Sequence, residues 1–110
     1  MAPKKMYVPH NIYELQDFMA FMVLGAPKFL DKTGYFPYLN LDYVFRELDA
    51  ALTENRGDLG EERYQQLKLM ADEMRPLFEA DPDEKTGQAR EGSKILLAME
   101  DILRQAKRKV

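Results

Sequence analysis

The stretch GYFPYLNLDYVFRELDAAL, residues 34–52, constrains the chain more than any other, because it joins a dense aromatic loop to a cleanly amphipathic helix start. Asn40 belongs to the residue types whose side chain accepts hydrogen bonds from the first free backbone N–H groups of a helix. Leu41, Val44, Phe45, Leu48, Ala51 and Leu52 then recur at the spacing that lines one helical face. Such a face must be covered by other elements. Tyr35, Phe36 and Tyr38 precede it around Pro37, which fixes φ and has no N–H to donate. These rings are expected to cross a helical assembly in an irregular segment, about 26–40, and to plug one end. The alternative is an aromatic binding patch running from Tyr35 and Tyr38 to Tyr43.

A chain of 110 residues, 45% of them hydrophobic, fits one helical domain over 1–110 with a real core. Within it, residues 1–10 carry Pro3 and Pro9 and read as an extended arm, and residues 105–110 as a basic tail. The absence of Cys excludes disulfides, thiolate nucleophiles and Cys-ligated metals, and it fits a reducing compartment, so a cytoplasmic location is expected. The longest apolar run, Phe18 to Leu24, is far too short to span a bilayer, and MAPKKMYVPHNIYEL has neither a continuous apolar stretch nor a small-residue cleavage site. Neither membrane insertion nor export is expected. The net charge of −3 hides an uneven spread: residues 42–84 hold 13 Asp and Glu against 5 Lys and Arg, while Arg104, Lys107, Arg108 and Lys109 crowd the end.

Helix signals follow one another along the chain. Asn11 with Glu14 resembles a capping box, opening a helix to about Leu24 whose apolar residues begin as a stripe and then fill every direction, as a central helix would. Gly25 is expected to end it in the left-handed conformation, with one further turn over 28–31. Asn55 to Asp58 reads as a turn, with Asp58 capping the next helix. That helix presents Tyr64, Leu67, Met70, Ala71, Met74, Leu77 and Phe78 on one face and contains Pro76, which predicts a kink or an early end. Asp81-Pro82-Asp83-Glu84 predicts a last helix starting at Pro82 and running to about Lys107. Gly87 and Gly92 lie inside that helix; Gly92, on its inward face, predicts close approach by an aromatic ring or a neighbouring backbone. No repeat or alternating strand pattern is present. The expected fold is all-α, an antiparallel bundle of four main helices.

Catalytic chemistry finds little to work with in one His and one Ser. His10 lies in the arm beside a helix start, where a capping or solvated role is expected. Ser93 and Lys94 are adjacent on a helix and point about 100° apart, so they do not form a dyad. The glycines of GQAREGSK have P-loop spacing, but Lys and Ser are in the wrong order and no apolar strand precedes them. Asp81 and Asp83 begin like a calcium loop, yet Lys85, Thr86 and Gly92 occupy positions that need a ligand, a glycine and a glutamate. No enzymatic activity, metal or cofactor is expected. The basic tail is what a helix dipole favours, and the acidic middle would repel phosphates, so nucleic acid is not an expected partner.

The surface feature that stands out is on the helix carrying Pro76. Glu62, Gln65, Asp72 and Glu73 fall within about 60° of Leu69 at 100° per residue, opposite the apolar stripe. An exposed leucine ringed by acids is a hydrophobic anchor with a rim that steers a basic protein partner, or else an ordinary solvated face.

The tyrosine-rich start at Tyr35 to Tyr43, the run Leu67-Lys-Leu-Met-Ala and Glu79-Ala-Asp-Pro-Asp-Glu together resemble small all-helical immunity proteins of bacterial secreted toxins, including type VI effectors, over roughly residues 35–100. The resemblance implies a non-enzymatic protein that binds one cognate toxin and occludes its active site. Two other readings stay open: a small-molecule sensor or enzyme with a pocket lined by Tyr35, Tyr38, Phe18 and Phe21, and a homodimeric structural or adaptor protein using the surplus apolar side of the first helix.

Overall fold

The computed structural model describes residues 9, 11–29 and 40–108, and among them every regular element is helical. Five helices follow in order: α1 (Ile12–Gly25), α2 (Leu41–Glu54), α3 (Arg56–Leu59), α4 (Glu61–Ala80) and α5 (Gln88–Arg108). The protein is all-α, as the periodicity predicts. The aromatic segment 30–39 and His10 lie outside the described residues, as do most of the arm and the last two residues of the tail.

Two asparagines start helices as expected. Asn11 Oδ1 accepts from the Glu14 N–H at 2.8 Å and Asn40 Oδ1 from the Tyr43 N–H at 2.8 Å, each satisfying an N–H that the first turn leaves free. The first helix ends differently from expectation. Gly25 remains within α1, and the chain leaves at Ala26 in an extended conformation, its N–H donating to the Met22 carbonyl. The Ala26–Pro27 peptide is cis, and Phe29 follows at φ 58°. Its N–H donates to the Gly25 carbonyl at 2.8 Å, closing a single turn.

Residues 56–59 form the short helix α3 rather than a plain turn, because Leu59 is fully buried and draws the segment onto the core. Asp58 therefore lies inside α3, and the break falls to Gly60, at φ 86°, a conformation open to glycine without steric cost. The buried Asn55 side chain donates to the carbonyls of Ala51 and Pro9, at 2.7 and 3.1 Å, and so pins the chain just ahead of α1 to the end of α2. Helix α4 continues through Pro76 to Ala80 without ending early, with the proline ring on its exposed side.

Helix α5 begins at Gln88, six residues later than the Asp-Pro signal predicts. Asp81 is the reason. Buried to 2% exposure, its carboxylate accepts from the N–H groups of Lys85 and Thr86 through one oxygen and of Ala89 through the other. A loop thus wraps around the capping group, passing through positive φ at Glu84 and Gly87, before the helix can start. Gly87 consequently lies ahead of α5 instead of within it.

The inward face of α5 (Ala89, Gly92, Leu96, Met99, Leu103 and Ala106) packs against both α4 and α1, while α4 meets α5, α2 and α3, so the most extensive packing belongs to α4 rather than α1. Helix α1 buries one face and leaves Tyr13 and Leu24 exposed, Leu24 at 89%. Helix α2 packs on the other side of α4. A Cβ placed on Gly92 would lie 2.7 Å from Cε1 of Phe78, so the absent side chain admits that ring, as the glycine's place on the stripe predicts. Phe78 also meets Phe29 edge-on at 5.5 Å, and Phe29 meets Phe45 in the same manner at 5.8 Å, joining the end of α1 to α2 and α4.

Candidate functional site

The outer face of α4 is positioned by its opposite side. Tyr64, Leu67, Ala71, Met74 and Phe78 are buried, and helical spacing then turns Glu62, Gln65, Leu69, Asp72 and Glu73 outward. All five are exposed, Leu69 at 61%, so the structure brings these sequence-predicted residues onto one accessible face. Gln65 donates to Glu61 Oε2 at 2.9 Å, and Arg56 grips both Glu61 oxygens, at 2.7 Å each, across the Gly60 break. Those contacts hold the Glu61 carboxyl below its usual range, Gln65 contributing most, and they fasten the acidic face at its N-terminal end.

The aromatic candidates are divided. Tyr43 is half-buried on α2 and packs against the core. Tyr35 and Tyr38 lie outside the described residues. Phe18 is buried and Phe21 half-buried, their ring centroids 5.8 Å apart. A cleft of about 490 Å³ near the end of α1 is lined by Pro27, Leu41, Phe78 and Pro82 beside Lys28 and Glu79, with no tyrosine among its described lining residues.

Beside the acidic face runs a second surface feature, the seam between α2 and α4. Asp42 pairs with Arg75 and Asp49 with Lys68 across it, the pairing raising the pKa of Lys68. A cleft of about 470 Å³ opens along this seam, floored by Phe45 and Ala71 and flanked by Arg46 and Asp72. The Arg75 guanidinium sits 5.7 Å from the Phe45 ring centre, within cation–π range. Sequence reasoning missed this seam, although its signal is present: Asp-x₃-Arg-x₂-Asp from 42 to 49 reads as the charge complement of Arg-x₂-Asp-x₃-Lys taken backwards from 75 to 68.

Among the described residues no three metal-ligating side chains gather, and no helix is long and apolar enough to cross a membrane. Ser93 is half-buried and Lys94 exposed, its ammonium 3.2 Å from Glu91. No family model matches this chain, and neither a curated protein nor a solved structure matches it at a significant level.

Proposed function

We propose that this chain is a non-enzymatic, cytoplasmic protein-binding module whose most concrete form is an immunity protein that occludes a cognate bacterial toxin. In this reading it is an antiparallel bundle of four main helices with the 26–40 segment lying across one end. The observation that carries the reading is the exposed Leu69 within Glu62, Gln65, Asp72 and Glu73, on a helix whose opposite face is consumed by the core. An apolar anchor inside a like-charged rim suits a basic partner: the rim accelerates encounter, and the anchor, once desolvated, slows escape.

The two contributions separate kinetically. With a partner identified by pull-down, reversing Glu62, Asp72 and Glu73 to Lys is expected to slow association, strongly at low salt and weakly at high salt. Leu69→Ala is expected to speed dissociation, at a cost of about 1–2 kcal/mol, with little salt dependence. If neither variant changes either rate constant, the face is a solvated surface and the reading fails.

A further inference from the structure

The α2–α4 seam is a ladder of opposite charges with its middle rung open. Along α2, Asp42, Arg46 and Asp49 follow at i, i+4 and i+7 and share one face; along α4, Lys68, Asp72 and Arg75 do the same. The outer rungs, Asp42–Arg75 and Asp49–Lys68, are closed ion pairs. They run in opposite chain directions, so the register places Arg46 opposite Asp72 between them. Both line the cleft, and among the described residues neither makes a hydrogen bond or an ion pair within 4.0 Å, although Asp72 acts on Lys68 at longer range.

This geometry selects a ligand by its charge distribution. Three carboxylates and three cations line the walls, so a simple anion meets as much repulsion as attraction, and so does a simple cation. A molecule carrying both charges close together meets a guanidinium fork on one wall, suited to a carboxylate, and a carboxylate on the other, suited to an ammonium. Between the walls the floor is apolar, formed by Phe45 and Ala71.

We propose that this cleft binds a free α-amino acid with an apolar side chain, its carboxylate on Arg46, its ammonium on Asp72 and its side chain over Phe45 and Ala71. Asp72 also belongs to the rim of the α4 docking face, but leucine binding is read without a protein partner, so loss of one with retention of the other tells the two readings apart.

The test is a titration of the full ¹⁵N-labelled chain with L-leucine, followed by backbone amide shifts. Leucine is expected to move the amides of 42–49 and 68–75 saturably. N-acetyl-L-leucine, which lacks the ammonium, and L-leucinamide, which lacks the carboxylate, are each expected to bind about tenfold more weakly or worse. Arg46→Gln and Asp72→Asn are expected to weaken leucine binding to a similar degree while leaving the rest of the spectrum unchanged. Absence of saturable shifts up to the solubility limit of leucine overturns the proposal, and so does equal binding of either singly charged analogue.

Discussion

Helix α4 is joined to α5 on one side and to α2 on the other, and the two seams share the Phe78 ring but differ in what borders it. Toward α5 the contact is one of shape: Phe78 is fully buried and lies where a Gly92 side chain would stand. Toward α2 apolar packing, with the Phe45 and Phe78 ring centroids 6.3 Å apart, is edged by charge, two ion pairs with partly exposed partners spanning a cleft. Close-packed apolar surfaces tolerate little change in volume, whereas exposed charge pairs contribute little energy yet penalise a wrong register. The α4–α5 seam accordingly holds the fold together, and the α2–α4 seam sets alignment and leaves surface over for recognition.

The contrast is tested first where it is sharpest. Gly92→Leu is expected to destabilise the protein by about 1–3 kcal/mol through overpacking, measured by urea or thermal unfolding. Adding Phe78→Leu should return part of that loss, so that the double variant is more stable than the sum of the two singles implies. An unchanged melting profile for Gly92→Leu would place Phe78 elsewhere and dissolve the distinction between the seams.

A second, pH-dependent effect belongs to the loop that leads into α5. The three N–H groups that Asp81 accepts, that of Ala89 foremost, lower its pKa in the folded state. Its stabilising contribution is therefore complete above the unfolded value of about 3.9 and is lost as pH falls through the lower folded value. Asp81→Asn should melt lower at neutral pH and show a shallower further loss below that range than the parent chain; identical acid limbs in the two melting curves would remove Asp81 from this role. The smallest effect is expected on the charged side. Asp49→Ala should cost about 0–1 kcal/mol, and the difference should shrink as salt is raised toward about 1 M. A larger, salt-insensitive loss would show that the Asp49–Lys68 pair acts through packing rather than through charge.

Features that depend on neighbours in sequence were legible in it: the Asn11 and Asn40 caps, the inward stripes of α2 and α4, and the aromatic approach to Gly92. Features decided by distant contacts were not. Asp81 was identified as a capping group, but its burial folds a loop around the carboxylate and carries the helix start to Gln88. Leu59 turned a segment of turn-like composition into α3 because the core had a place for it. The all-round apolar character of α1 suggested a central helix, whereas the most extensive packing belongs to α4, which meets α2, α3 and α5. For the candidate site, the acidic face of α4 followed from the spacing alone, while the cleft beside it required knowing that α2 and α4 are neighbours.

The Phe29, Phe45 and Phe78 cluster also implies an order in time. Its rings come from segments far apart along the chain, and Phe29 is held at a positive φ that costs a non-glycine residue about 1–2 kcal/mol. Nothing local rewards that conformation until α2 and α4 have already presented their rings, and long-range closure is entropically expensive. The corner at the end of α1 should therefore be the last to lock during folding and the first to open afterwards, so that native-state hydrogen exchange at the Phe29 amide outpaces that of the α4–α5 seam.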